Sequence, residues 1–254
     1  LINISAVVLT KNNEKTIEKT LNSLMEFVDV VVYDNGSTDK TMSIVKRYKN
    51  VNLVQGEFKG FGWTKNKAAS YAKNDWILII DSDEVVDKEL LKELKEKKLD
   101  NKCVYRLNSK GFYKNIQVKY CGWTLTVKRL YNTTTTSYND YDEVHEEVIS
   151  KGLKEEILKG NIEHYSYHSI SEFIIKADRY STLFATNNVG KKYSSPTKAF
   201  FNAMYSFFRT YILKQGFRDG YVGLIIAFSH MVTNFYKYIK LYEANKELKT
   251  SYKK

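Results

Sequence analysis

Residues 76–84, WILIIDSDE, run five apolar side chains straight into three acids, Asp81, Asp83 and Glu84. Carboxylates at the edge of a core need cations or hydrogen-bond donors around them. Asp81 and Asp83 stand two apart, so at a curled strand end both reach one hard cation and its ligand. Mg²⁺ or Mn²⁺ held by one or two carboxylates and by substrate phosphates is the usual form of such a site. The plainer alternative is a strand followed by the N-cap of a helix over 87–97. A second polar turn, residues 34–39 (DNGSTD), reads either as a capped strand-to-helix turn or as part of a nucleotide pocket in which Asp34 accepts from a base N–H. Residues 138–148 (YNDYDEVHEEV) set five acids around one histidine, and residues 163–168 (EHYSYH) hold two of the four histidines.

The elements that must position these groups follow from apolar patterning. Apolar runs at 4–9, 29–33, 51–54 and 76–80 read as strands, the last buried on both faces. Helical spacing appears over 16–28, at Ile44, Val45 and Tyr48, and over 66–73. This alternation predicts an α/β fold with a doubly wound, mainly parallel sheet. Ligands of such sheets bind outside the carboxyl ends of the strands, where 10–14, 34–39 and 81–84 all fall. No G-x-G-x-x-G follows the first strand and no G-x-x-x-x-G-K-[ST] occurs, which argues against dinucleotide and P-loop chemistry. Beyond Lys98, strands are expected at 103–107 and 124–131. Residues 197–245, rich in aromatics and cations, are expected to form two helices separated at Gly216 and Gly220.

The 254 residues carry 40 Lys and Arg against 29 Asp and Glu, a net charge of +11. That favours anionic partners: nucleotide phosphates, an acidic glycolipid, a membrane surface or nucleic acid. Cys103 and Cys121 have no metal-type spacing and suit a reducing compartment. The first apolar segment is short and lacks a basic lead, so it does not read as a signal peptide. The run at 221–228 is too short to span a bilayer. A cytoplasmic protein, peripheral on the inner face of the cytoplasmic membrane, is expected. The aromatic surface beginning at Phe200 and Phe201 either packs on the rest of the chain or on a second subunit, making an oligomer, or meets anionic lipid.

Three motifs, ISAVVLTKNNEKTIEKTLNSL, VVVYDNGSTDKT and WILIIDSDE, in this order resemble family 2 glycosyltransferases with the GT-A fold, over about the first 165 residues. The resemblance implies a nucleoside-diphosphate-sugar donor, a divalent metal and an inverting transfer. By position it implies that Thr10, Asn12 and Glu14 line the nucleoside site and that Asp34 contacts the uracil. Asp81, with Ser82 beside it, faces the ribose or sugar, and Asp83 binds the metal that bridges the diphosphate. Asn35 stands where many relatives have a second acid, and Lys11 where many have tyrosine. Lys65, Asn66 and Lys67 in KGFGWTKNK correspond to donor contacts, or else to a solvated helix start. Within residues 138–148, VHE resembles a motif of the lipopolysaccharide-core branch, which implies Glu146 as the general base, Glu143 as its rival and His145 in support. His164 matches a late metal ligand of the fold. Lys176 and Arg179 match a KxxRYS element that reaches the diphosphate or an acidic acceptor, or form a solvated helix face.

The resulting expectation is a GT-A domain over 1–168 with a helical extension over 169–254. Its activity is transfer of a sugar, UDP-glucose being the favoured donor, to a glycolipid acceptor such as the inner-core heptose of lipopolysaccharide or lipooligosaccharide. Rival acceptors are a capsule, an N-linked glycan intermediate or a protein. A rival of another class is a non-catalytic basic module that binds nucleic acid with steep salt dependence. Its cations are dispersed and it shows no nucleic-acid motif, so no nucleic acid is expected as a partner. A scaffold that keeps the fold without catalysis would have no use for the intact DSD and HE residues.

Overall fold

The computed structural model describes residues 1–140 and 147–251. It divides into two compact units, Leu1–Lys110 with Leu125–Tyr165, and Gly111–Thr124 with Ser166–Lys254. The second unit thus takes in a stretch, 111–124, that the sequence reading left in the first part of the chain.

In the first unit, β1 (Ile2–Thr10), β2 (Phe27–Asp34), β3 (Val51–Gln55) and β4 (Trp76–Asp81) alternate with α1 (Ile17–Ser23), α2 (Thr41–Val45) and α3 (Phe61–Ala69). β1 pairs in parallel with β2 and β4, and β2 with β3. Successive residues of these strands feed different cores, as a sheet covered on both faces requires. Ala6, Val30 and Ile80 enter one, and Val7, Val31 and Ile79 the other. Both cores are closed to water, so β1, β2 and β4 read as mainly apolar runs and were legible as such.

Later strands turn the sheet mixed. β5 (Glu84–Val86), α4 (Lys88–Glu96), β6 (Cys103–Tyr113), β7 (Ile116–Val118), β8 (Leu125–Asn132) and β9 (Lys154–Tyr167) follow, giving the strand order β3-β2-β1-β4-β8-β6-β9-β5 with β7 on β6. β8 runs antiparallel to β4 and β9 antiparallel to β5. Neither β5 nor β9 is among the predicted strands.

Two helix boundaries differ from expectation. α1 stops at Ser23 because Phe27 already starts β2, which leaves Met25 exposed rather than packed. α3 begins at Phe61, not Asn66, after Gly60, whose φ of 89° suits a residue without a Cβ. α4 matches its predicted span, with Asp87 capping it by accepting from the Leu90 N–H at 2.8 Å.

The described residues of the second unit are mainly helical, apart from the β6–β7 pairing and the last two residues of β9. Its helices are α5 (Ile170–Asn188), α6 (Pro196–Phe208) and α7 (Gly220–Ser251). Ser169 and Ser195 cap α5 and α6 by accepting from the Glu172 and Lys198 N–H groups. A π-helical turn, Arg209–Leu213, and a 3-10 turn, Gly216–Asp219, reverse the chain where Gly216 and Gly220 were expected to break it. α7 packs against both α5 and α6. Gly223 makes the reversal tight, since a Cβ there would lie 1.8 Å from the Gly216 carbonyl oxygen.

Candidate active site

The carboxyl ends of β1, β2 and β4 bring the three polar motifs together. Parallel register sets Thr10 beside Asp34 and Leu9 beside Asp81. Asp34 is fully buried and ties its own turn. Oδ2 accepts from the Gly36 and Ser37 N–H groups at 3.0 Å, and Oδ1 accepts from the Ser37 hydroxyl. The loops after β1 and β2 are then stitched to each other. Asn12, at φ 55°, donates its N–H to Ser37 Oγ and accepts from the Thr38 N–H, and Glu14 accepts from the Lys40 N–H. Thr10 Oγ1 is buried with no hydrogen-bond partner among the described residues, so the floor beside Asp34 keeps an unused polar atom.

Asp81 and Asp83, two residues apart, have different neighbours. Arg129 from β8 places Nη2 2.6 Å from Asp81 Oδ2 and 2.9 Å from Glu84 Oε1. Lys65 from α3, itself buried, sets Nζ 4.0 Å from Asp81 Oδ1. Glu84 Oε2 accepts from the Asp81 N–H at 2.8 Å, which curls the strand end. Burial pushes the Asp81 carboxyl up, but the Arg129 and Lys65 charges outweigh it and hold Asp81 well below the usual carboxylate range. Burial and the Asp81 charge raise Glu84 against the pull of Arg129.

Asp83 turns the other way, toward β9. The β5–β9 register sets Glu84 opposite His164, and His164 Nε2 lies 3.3 Å from Asp83 Oδ2, both side chains about one-third exposed. Burial lowers His164, yet the hydrogen bond it donates to Asp83 and the Asp83, Glu84 and Asp81 charges lift it to about 9. Ser82, between the two acids, accepts from Asn13 Nδ2 at 2.6 Å and serves the loop.

The other expected site residues are placed as follows. Lys65 joins the cluster, whereas Lys67, two positions on along α3, is exposed and lies 5.1 Å over the Tyr71 ring. Asn66 clasps the strand-like stretch after β8, donating to the Tyr138 carbonyl and the Asp140 carboxylate and accepting from the Tyr138 N–H. Lys176 and Arg179 belong to the second unit. There Lys176 donates to the Ser166 carbonyl and sits 4.0 Å over Tyr167, and Arg179 is exposed. Glu143, His145 and Glu146 lie outside the described residues.

Arg129 was missed in the sequence, and Glu84 was noticed only as one of the acids. The demand for a cation near the DSDE end was legible, but the sequence did not say which of the chain's cations supplies it. Arg129 lies 48 positions away, and only the antiparallel β4–β8 pairing selects it.

Residues 5–159 match the model of the glycosyl transferase family 2 domain. The chain belongs to glycosyltransferase family 2. An uncharacterized glycosyltransferase of Rickettsia bellii is 30% identical over 259 residues, covering 94% of this chain and 86% of its own. The lipopolysaccharide core biosynthesis glycosyltransferase LpsC of Rhizobium meliloti is 27% identical over 252 residues, covering 94% of this chain and 92% of its own. The crystal structure of TarS from S. aureus matches with a TM-score of 0.50 at 22% identity, over 85% of this chain and 45% of that one. It shares the fold. This family 2 chain is therefore a glycosyltransferase with a GT-A-like α/β domain and C-terminal helices, and it has a relative in lipopolysaccharide core synthesis.

Proposed function

We propose that the chain transfers a hexose from a UDP-sugar, UDP-glucose being favoured, with inversion and with help from a divalent metal. The acceptor is a sugar of a bacterial glycolipid, such as the inner-core heptose of lipopolysaccharide or lipooligosaccharide. The reaction takes place at the inner face of the cytoplasmic membrane. The observation that carries the reading is the divergence of the two DSD carboxylates: Asp81 is held by protein cations, while Asp83, among the described residues, is paired with a histidine.

A divalent cation fits that pair by displacing the proton that His164 shares with Asp83. A carboxylate oxygen and an imidazole nitrogen 3.3 Å apart have the separation of neighbouring ligands on one ion. Among the described residues no cluster of three or more His, Cys, Asp or Glu side chains is available to hold a metal, so Mn²⁺ or Mg²⁺ would take its other ligands from a diphosphate and water, as open sites do. When bound there, the ion supplies charge that offsets what develops on the departing diphosphate. Asp34 and the stitched loops frame the nucleoside, with the Thr10 hydroxyl as a spare polar contact. Arg129 and Lys65 keep Asp81 ionised and fixed, so that it accepts from sugar or ribose hydroxyls without moving. The proton of the acceptor hydroxyl goes to Glu146, with Glu143 as its rival and His145 in support; these roles rest on the motif resemblance.

The LpsC relative supports a glycolipid acceptor. A second reading comes from the sequence of the poly(ribitol-phosphate) β-N-acetylglucosaminyltransferase TarS of S. aureus, 37% identical over 105 residues but covering only 37% of this chain. It makes UDP-N-acetylglucosamine the chief rival donor. Hydrolysis of a nucleotide-sugar panel, with and without Mn²⁺, tests the proposal. Metal-dependent UDP release from UDP-glucose is expected; release only from UDP-N-acetylglucosamine moves the donor to the rival, and release from guanosine or cytidine donors alone overturns it.

A further inference from the structure

We infer that the second unit carries a face that docks on an anionic lipid bilayer, formed by the outer side of α6 and the reversal that follows it. The inference deepens the glycolipid reading and rests on it for its purpose, but it can be tested without sugar transfer.

Charge is the first observation. The first unit's residues include 24 Lys and Arg and 24 Asp and Glu, while the second unit's include 16 against 5. The whole net charge of +11 therefore resides in the second unit. Such segregation is an attraction for an anionic surface rather than a property the fold requires.

Shape is the second. Phe200, Phe201, Met204, Tyr205 and Phe208 recur at helical spacing along α6, each 45–64% exposed, while Ala199 and Ala203 on its other side are buried. Leu213 and Phe217 extend this exposed surface through the reversal. The surface is also continuous inward. Phe207 meets Phe228 at 5.3 Å, and Phe228 lines an apolar groove of about 420 Å³ between α5 and α7. Contiguous apolar surface of this extent marks an interaction site.

Lys198, Arg209 and Arg218, in the same stretch of chain, are exposed. Aromatic and aliphatic side chains on one helix face with cations interleaved is the pattern of a helix lying in the headgroup region. No helix of the described residues is long and apolar enough to cross a membrane, so the face rests on the bilayer. A second copy is the weaker occupant, because it would set two strongly basic units against each other.

Co-flotation of the full chain with phosphatidylcholine vesicles, with and without phosphatidylglycerol, tests this. The chain is expected to float with the anionic vesicles and far less with the neutral ones. Phe201→Ser with Phe208→Ser should lower partitioning at least ~10-fold by removing two inserted rings. Lys198→Glu with Arg209→Glu should lower it by a similar ~10-fold at low salt. Both variants should keep the wild-type Tm and the wild-type rate of UDP release to water. Absence of wild-type flotation with anionic vesicles, or flotation of both variants like wild type, would overturn the inference. So would a dimer in sedimentation that the phenylalanine variant abolishes while no vesicle is bound, or preference for single-stranded DNA over vesicles. A chain that floats yet neither binds any UDP-sugar nor releases UDP from one would overturn the UDP-donor proposal and leave the docking face standing.

Discussion

Arg129 Nη2 lies 2.6 Å from Asp81 Oδ2 and, through the same nitrogen, 2.9 Å from Glu84 Oε1. One guanidinium thus ties the last residue of β4 to the first of β5. The strand end of the proposed donor site is in this way assembled by the protein's own charges. Asp83, the third acid, faces His164 at 3.3 Å instead.

The first expectation concerns that tie. Arg129→Met leaves Glu84, which is almost wholly buried, without its counter-ion, and should cost about 3–5 kcal/mol of stability in urea unfolding. Adding Glu84→Gln removes the uncompensated charge and should recover a substantial part of that loss. Equal losses in the single and double variants would mean that the uncompensated Glu84 charge is not the source of the cost.

Asn66 gives a second expectation, this time on rate. It clasps Tyr138 and Asp140, the chain just ahead of the residues proposed to hold the base. Asn66→Ala should lower kcat for transfer by ~10-fold or more while leaving donor affinity in calorimetry near wild type. A change confined to donor binding would place Asn66 at the nucleotide instead.

Legibility followed burial. The runs at 4–9, 29–33 and 76–80 were plain because both faces of the parallel sheet are covered, so apolar residues dominate them; the two polar exceptions, Ser5 and Asp29, satisfy each other by a hydrogen bond of 2.6 Å. β9 (Lys154–Tyr167) escaped notice because its first residues are exposed and charged, and a one-sided strand of that kind resembles a loop. Missing β9 hid the register that carries His164 to Asp83, although the histidine itself was singled out from the sequence by its likeness to the family's late metal ligand. Lys65 and Lys67 were read together. Helical geometry separates residues two apart onto different faces, and the α3 start at Phe61 decides that Lys65 is the inward one.

Acid should weaken the second unit through His230. Its ring Nδ1 lies 3.0 Å from Thr210 Oγ1, and burial, with Lys214, Lys237 and Arg209 nearby, lowers its pKa to about 4. The unfolded chain takes up a proton near 6.5 while the folded one resists, so this contribution to stability is intact above about 6.5. It is lost as pH falls toward about 4, at a cost of roughly 2–3 kcal/mol. Thermal unfolding followed from pH 7.5 to 4.5 should show a steeper loss in wild type than in His230→Gln. Parallel profiles would contradict it.

Close approach at the reversal yields a fourth. A Cβ at Gly223 would meet the Gly216 carbonyl oxygen at 1.8 Å, and backbone cannot yield as a side-chain tip can. Gly223→Ala should destabilise the protein by about 1–3 kcal/mol or more. An unchanged Tm would show that the turn has slack.

The most direct test of the account is calorimetric binding of UDP to the wild-type protein and to Asp83→Ala, each with and without Mn²⁺. Wild type is expected to bind UDP tightly only when Mn²⁺ is present, and Asp83→Ala to lose that Mn²⁺-dependent gain. Equal binding with and without the ion, or an Asp83→Ala variant that keeps the full gain, would contradict a metal-assisted donor site at the end of β4.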